Sequence, residues 1–116
     1  MRPSLLVVDD DPSTCSLLQR VLTSHGYRVT TVADGDAALI AMAAERPALV
    51  LTDLLMPGLG GLALIDHLRQ HDPLLPIVAL SAALDLPDLG SIPLLIKPFS
   101  LGDLLAMVQH QLPDER

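Results

Sequence analysis

The sequence feature that most constrains the fold is an apolar run that ends in a charge. Residues Ala48–Leu51 are all aliphatic, Pro47 precedes them, and Asp53 follows shortly before a Pro57–Gly58 turn. A short apolar run between turn signals is typical of a strand that is buried on both faces of a parallel sheet. A carboxylate at the end of such a strand either marks where the chain leaves the core or belongs to a functional site.

Composition restricts the class of protein. The chain has 116 residues, so we expect one domain, residues 1–116. No apolar run is long enough to span a membrane, and the N-terminal run is too short for a signal peptide, which predicts a soluble cytoplasmic protein. A net charge of −7, one Tyr, one Phe and no Trp argue against direct nucleic-acid binding. The single cysteine, Cys15, excludes an internal disulfide and is expected to pack on a helix.

Predicted strands alternate with predicted helices along the chain. The strands are Leu5–Val8, Arg28–Val32, Ala48–Asp53, Ile77–Leu80 and Leu94–Ile96. The helices are Pro12–His25, Asp36–Glu45, Leu62–His71 and Leu101–Leu112, and residues 83–92 support at most a turn or two of helix. On the first helix, the apolar stripe expected to face the core is Leu17, Leu18, Val21 and Leu22. This alternation predicts an α/β fold with a doubly wound five-stranded parallel sheet, flavodoxin-like order 2-1-3-4-5, and a shortened fourth helix before the fifth strand.

Polar side chains end four of the five predicted strands. Asp9 and Asp10 follow the first strand, Asp53 ends the third, Ser81 ends the fourth and Lys97 ends the fifth. Ligands of such sheets bind beyond the carboxyl ends of the strands, so we expect these side chains to lie at one edge of the sheet. Each residue alone also has an ordinary interpretation: the aspartates as a solvated strand exit, Ser81 as a turn residue and Lys97 as a surface lysine. Three carboxylates together favour a bound cation, and oxygen ligands without Cys or His indicate Mg²⁺. Together with a hydroxyl and a lysine for an incoming anion, the set suits phosphoryl transfer to a carboxylate.

With these residues in place, the chain resembles a receiver domain of two-component response regulators over nearly its full length. The matching motifs, in order, are Val7–Asp11, Asp53–Pro57, Ser81–Ala82 and Lys97–Phe99. The resemblance implies that Asp53 accepts a phosphoryl group from the phosphohistidine of a histidine kinase, in a Mg²⁺-dependent step of a phosphorelay. It also implies that Asp9 and Asp10 hold Mg²⁺ together with Asp53, and that phosphorylation is signalled by a conformational change.

The resemblance assigns further roles to single residues. It implies a metal contact from the main-chain carbonyl of Leu55, a hydroxyl contact from Ser81 and phosphate pairing by Lys97. It implies a cis Lys97–Pro98 bond, since X-Pro bonds are the ones that tolerate cis. The implied partner is a histidine kinase or a phosphotransfer protein, and the only reactions implied are the domain's own phosphorylation and dephosphorylation. A stand-alone regulator and one domain of a longer protein are both compatible with the sequence.

Three departures from the family pattern concern signalling rather than chemistry. Gly60 replaces the usual polar residue of the turn after Asp53, and Leu94 replaces the aromatic that rotates on activation. The segment between Ser81 and Lys97 is also shorter than usual. We therefore do not expect the phosphorylation-induced dimer that uses the fourth helix; Leu84, Leu86 and Leu89 are expected to pack on the sheet or to form a different patch.

Two further positions concern the lifetime of the phosphoryl group. In the family, the second residue after the acceptor and the second after the hydroxyl residue chiefly set hydrolysis. Here they are Leu55 and Ala83, whose side chains carry no hydrogen-bonding group. We therefore predict slow hydrolysis of the acyl phosphate.

Three other classes share parts of this pattern. A phosphatase of the haloacid dehalogenase type needs a second aspartate two residues after the nucleophile, where this chain has Leu55. A flavin or nucleotide binder would carry a glycine-rich loop after the first strand, and none is present. A non-phosphorylated interaction domain remains as the alternative, and the mass of the protein after incubation with a phosphodonor distinguishes it.

Overall fold

Five short parallel strands form a single sheet. The structure is a computed structural model that describes residues 2–56, 58–82 and 89–112. The strands are β1 (Ser4–Val8), β2 (Arg28–Val32), β3 (Leu49–Asp53), β4 (Ile77–Ser81) and β5 (Leu94–Ile96). Their order is β2-β1-β3-β4-β5 and every neighbouring pair is parallel, which confirms the predicted flavodoxin-like sheet.

In the described part of the chain, four helices connect or follow these strands, and their ends lie within one residue of the predicted ones. They are α1 (Pro12–Ser24), α2 (Gly35–Ala44), α3 (Gly61–His71) and α4 (Leu101–Gln111). Side-chain caps start three of them: Asp11, Asp34 and Ser100 accept backbone N–H groups of the first turn. The predicted short helix of residues 83–92 falls largely outside the described residues, as do Leu84 and Leu86, while residues 89–92 contain no helix.

The sheet separates two apolar layers, because successive side chains of a strand point to opposite faces. Leu5 and Val7 of β1 face the layer formed with α1 and α4, whereas Leu6 and Val8 face the layer formed with α2 and α3. The first layer is completed chiefly by Leu18, Leu22, Leu49, Leu51, Leu104 and Val108, and the second by Ala38, Val50, Leu64, Ile65 and Leu68. The central strands are therefore buried on both faces, as the apolar runs predicted.

The prediction that Leu17 faces the core is wrong. Its neighbour Leu18 is fully buried, and so is Leu22 one turn later, but Leu17 is 39% exposed. Successive helical residues are rotated by about 100°, so the residue beside Leu18 falls at the margin of the contact with the sheet. Cys15 is partly buried against the same layer, in agreement with its predicted packing role. Among the described residues, no helix has the length and apolar character needed to cross a membrane.

Candidate functional site

The candidate site lies at the carboxyl edge of the sheet. Asp9 follows the last residue of β1, Asp53 and Ser81 are the last residues of β3 and β4, and Lys97 follows β5. Parallel pairing of β3 with β4 sets Asp53 opposite Leu80, and the N–H of Lys97 donates to the carbonyl of Ser81 over 2.7 Å. The topology therefore brings together the residues that the sequence placed at separate strand ends.

Three carboxylates converge at this edge. Asp9, Asp10 and Asp53 each offer an oxygen, and these oxygens all lie within 4.8 Å of one another. Asp9 is buried, with only 1% of its surface exposed, whereas Asp10 is exposed and Asp53 is intermediate. Asp9 Oδ1 accepts the backbone N–H of Asp11 over 2.9 Å, which fixes the carboxyl group at the start of the loop into α1.

Lys97 supplies the positive charge nearest to this cluster. Its Nζ donates to Asp9 Oδ2 over 2.7 Å and lies 3.5 Å from Asp53 Oδ2. The Lys97–Pro98 bond is cis, which confirms that prediction. Burial alone would lower the pKa of Lys97, but the hydrogen bond and charge of Asp9, with the charge of Asp53, outweigh it and raise the pKa above its usual value. Lys97 is therefore cationic at neutral pH.

Asp53 occupies an environment that disfavours its negative charge. Burial is the main cause of a raised pKa, and the nearby charge of Asp9 acts in the same direction. Lys97 and the backbone N–H groups of Leu54 and Leu55 lower the pKa without cancelling the rise. One lysine does not balance three carboxylates, so a further cation at this edge would favour the ionised form of Asp53.

The donor set of the cluster fits the predicted metal. Carboxylate oxygens are hard ligands that suit Mg²⁺, which usually takes one or two carboxylates and keeps several waters. A buried oxygen from Asp9 beside the accessible carboxylate of Asp10 leaves one side of the cluster open for such waters. The residues present are therefore those that would hold a magnesium ion.

The remaining predicted site residues differ in their surroundings. Ser81 is buried, with 1% exposure, at the end of β4. Leu55 is 65% exposed, and it lines an open groove with the partly exposed Leu62 at the start of α3. Pro57 of the turn and Ala83, the second lifetime position, lie outside the described residues.

Two glycines allow close backbone contacts around the loop after Asp53, and neither was predicted as a site residue. At Gly61, the first residue of α3, a Cβ would overlap the carbonyl oxygen of Asp53. At Gly35, the first residue of α2, the N–H donates to the carbonyl of Leu59 over 2.9 Å, and a Cβ would lie 2.6 Å from that oxygen. The adjacent pair Gly60–Gly61 is the one sequence signal of this close approach.

The fold and the match to a family model identify the class of this protein. The response regulator receiver domain family matches residues 5–109, and the chain belongs to this family. The chain is thus a receiver domain of response regulators, the class of domain that serves two-component signalling.

Relatives and a solved structure agree with this assignment. The chain is 40% identical over 118 residues to the DNA-binding response regulator MtrA of Mycolicibacterium smegmatis, with 97% of this chain and 51% of that protein covered. It is 36% identical over 110 residues to the DNA-binding transcriptional regulator NtrC of Salmonella typhimurium, covering 90% and 24%. The response regulator TrrA of Thermotoga maritima, solved in complex with Mg²⁺-BeF, superposes with a TM-score of 0.87 at 30% identity, covering 97% and 100%. The chain therefore spans about a quarter to a half of the length of these two curated relatives.

Proposed function

We propose that residues 1–116 form a single receiver domain whose Asp53 accepts a phosphoryl group from a phosphohistidine, in a Mg²⁺-dependent reaction. The observation that carries this proposal is the convergence of Asp9, Asp10 and Asp53 within 4.8 Å, with the ammonium group of Lys97 in contact. Asp53 is the acceptor in this proposal because, unlike Asp9, it is partly accessible from solvent, and because its Oδ2 lies 3.5 Å from Lys97 Nζ.

In the proposed reaction, a carboxylate oxygen of Asp53 attacks the phosphorus atom of the donor. A new P–O bond forms, the P–N bond of the phosphohistidine breaks, and the electron pair returns to the imidazole, which leaves with a proton from solvent. The product is an acyl phosphate. Lys97 would pair with a phosphoryl oxygen, and the hydroxyl of Ser81 would donate to another.

Asp9, Asp10, Asp53 and the main-chain carbonyl of Leu55 would hold Mg²⁺. When bound, the ion supplies positive charge that offsets the carboxylates and the oxygens of the transferred group. The TrrA structure, whose complex contains Mg²⁺-BeF, supports this part of the proposal by similarity.

The proposal is tested by intact-mass spectrometry after incubation with a small acyl-phosphate donor and Mg²⁺. We expect the wild-type chain to gain the mass of one phosphoryl group and the Asp53→Asn variant to gain none. Asp10→Ala should abolish both metal binding and phosphorylation while the fold is retained, and Asp66→Asn, an exposed aspartate of α3, serves as the matched control. Equal phosphorylation in excess chelator would contradict the Mg²⁺ dependence, and equal phosphorylation of Asp53→Asn would show that Asp53 is not the acceptor.

The same proposal includes the partner. A histidine kinase or phosphotransfer protein must present its phosphohistidine at Asp53, so its contact surface must adjoin this edge. A cleft of about 370 Å³ lies beside Lys97 and is lined in part by Leu17, Pro98 and Phe99. The partly exposed Leu17 gives this cleft an apolar rim, which suits the docking of a partner helix.

We place no other reaction and no DNA binding in this domain. The net charge of −7 disfavours contact with phosphates of nucleic acids, and the relatives named for DNA binding are about two to four times longer than the matched region. The domain would catalyse only its own phosphorylation and dephosphorylation.

We also propose that phosphorylation does not produce a dimer through a full-length helix between β4 and β5, the segment that corresponds to the family's fourth helix. Sedimentation of the phosphorylated protein tests this proposal.

A further inference from the structure

Two histidines on α3 form a pair that the acidic site does not use. His67 and His71 are four residues apart, so their side chains lie on the same face of the helix, one turn from each other. Their rings are stacked, with centroids 4.1 Å apart and an angle of 18° between the ring planes. Both residues are exposed, and neither of the other histidines, His25 and His110, has a histidine at this spacing.

A backbone hydrogen bond determines which nitrogen of His71 is free. His71 Nδ1 lies 2.9 Å from the carbonyl oxygen of His67. A carbonyl oxygen can only accept, so Nδ1 carries a proton, and in the neutral imidazole Nε2 then has the free lone pair. Histidines that bind metals commonly donate their other ring N–H to a backbone carbonyl in this way, because the bond fixes the tautomer and the ring orientation.

We propose that His67 and His71 chelate a borderline divalent transition metal such as Zn²⁺ or Ni²⁺. Two histidines at this spacing on one helical face are an established arrangement for binding zinc, and imidazole nitrogen suits Zn²⁺, Ni²⁺ and Cu²⁺ better than Mg²⁺. The lone pair of an imidazole nitrogen lies in the ring plane, so the His67 ring must turn out of the stack for both rings to bind one ion. Water completes the coordination, since the described residues place no third histidine or cysteine on this face. The site is separate from the carboxylate edge and differs from it in metal preference.

Chelation at this pair acts on a helix that is connected to the rest of the domain at both ends. α3 begins directly against the carbonyl of Asp53, and its N-cap residue, Gly60, provides no side-chain cap. Near its C-terminus, Arg69 donates to the carbonyl of Leu89 over 2.7 Å. A metal that bridges one turn of α3 binds the folded helix more tightly than the unfolded chain, so it stabilises the domain, and the stabilisation grows with the logarithm of the metal concentration.

The experiment is thermal unfolding with ZnCl₂ in the presence of excess Mg²⁺, which occupies the carboxylate edge. We expect Zn²⁺ to raise the Tm of the wild-type chain and of the His110→Gln control, and the rise to be lost in His67→Gln and in His71→Gln. Adding Ala63→His to the His71→Gln variant recreates the four-residue spacing at an exposed position and should restore the rise. EPR of bound Cu²⁺ should report two nitrogen ligands in the wild type and one in either single variant.

The outcomes separate this site from the phosphorylation site. The proposal is overturned if Zn²⁺ still raises the Tm of His67→Gln or of His71→Gln. It is also overturned if the folded Ala63→His, His71→Gln double variant shows no such rise. A rise lost in Asp10→Asn while both histidines are present would assign the Zn²⁺ to the carboxylate edge instead. Phosphorylation of Asp53 with Mg²⁺ should be unchanged in His67→Gln, so failure of either proposal leaves the other measurable.

Discussion

Lys97 pairs more closely with Asp9 than with Asp53. Its Nζ lies 2.7 Å from Asp9 Oδ2 but 3.5 Å from Asp53 Oδ2, and the Asp9 side chain is completely buried whereas that of Lys97 is 21% exposed. The lysine therefore compensates a buried carboxylate in the unphosphorylated domain. To pair with a phosphoryl group on Asp53, Lys97 would have to share or leave its contact with Asp9. Because Asp9 is also a proposed metal ligand, metal binding and the position of Lys97 would be linked.

Lys97→Gln should destabilise the metal-free domain, because it leaves the buried Asp9 without its charged partner. Removing one member of a buried ion pair costs on the order of 3 kcal/mol. Mg²⁺ should restore more stability to the variant than to the wild type, since the ion replaces the missing charge. Urea unfolding with and without Mg²⁺ measures both effects.

The matched control for this prediction is Arg28→Gln. Arg28 pairs with Glu45 at 2.7 Å, but more than half of each side chain is exposed, so the pair is screened by water and contributes little. A Lys97→Gln variant as stable as Arg28→Gln without Mg²⁺, or an equal effect of Mg²⁺ on variant and wild type, would contradict the prediction.

Gly61→Ala should destabilise the domain and impair phosphorylation together. The added Cβ would overlap the carbonyl oxygen of Asp53, so either α3 or the end of β3 must move. Forcing extra atoms into a packed position typically costs about 1–3 kcal/mol.

Gly102→Ala in α4 is the control. The nearest atom to an added Cβ is Ser100 Oγ at 3.9 Å, so the change should stabilise the domain by about 0.4–1 kcal/mol. Urea unfolding and the phosphorylation assay on the same samples check this; similar behaviour of the two variants would refute it.

Replacing Leu55 by Asn and Ala83 by Glu should speed the loss of the phosphoryl group from Asp53. Leu55, two residues after the acceptor, is 65% exposed and has no side-chain group that can orient water. Assistance by a positioned polar side chain should accelerate hydrolysis by about one to two orders of magnitude, within the reach of general acid–base catalysis.

The loss is followed by intact mass after removal of the donor. Leu74→Asn, at a leucine that is 87% exposed on the loop before β4, is the control for a polar substitution elsewhere and should not change the rate. A wild-type acyl phosphate that decays within seconds, or a double variant no faster than wild type, would show that these two residues do not set the lifetime.

Asp72→Asn should destabilise the domain near neutral pH and lose its effect in acid. Hydrogen bonds from Arg46, at 2.6 and 3.1 Å, and its charge hold the pKa of Asp72 below the ordinary value of 3.8. Because the pKa of Asp72 is lower in the folded state, its stabilisation is fully present at pH values above the unfolded-state pKa. The stabilisation disappears as the pH falls through the folded-state pKa. The effect should be small, since the pair is exposed.

The measurement is the difference in urea-unfolding free energy between wild type and variant as a function of pH. Arg46→Gln should show the same pH dependence, and the double variant should add little to either single one. A difference that is constant across the acid range would mean that the carboxylate charge of Asp72 is not the cause.

The sequence by itself determined the architecture and the composition of the site. The apolar runs at β1, β3 and β4 could only be satisfied by burial on both faces, so they specified a parallel sheet covered by helices. Because parallel strands all end at one edge, the positions of Asp9, Asp53 and Lys97 after their strands were sufficient to predict that they meet. Caps such as Asp11 and Ser100 followed from local chemistry, since a cap bonds within its own first turn.

Tertiary structure decided which of these groups are in contact and which are buried. Lys97 follows β5, two strands away from the one that ends in Asp53, so sequence order could not show that its closer partner is Asp9. The exposure of Leu17 depends on the angle at which α1 lies on the sheet, and the fit of Gly61 against Asp53 depends on how α3 returns to the end of β3. Burial and charge interactions vary with distances of a few tenths of an ångström between segments far apart in the chain, and local residue patterns do not contain those distances.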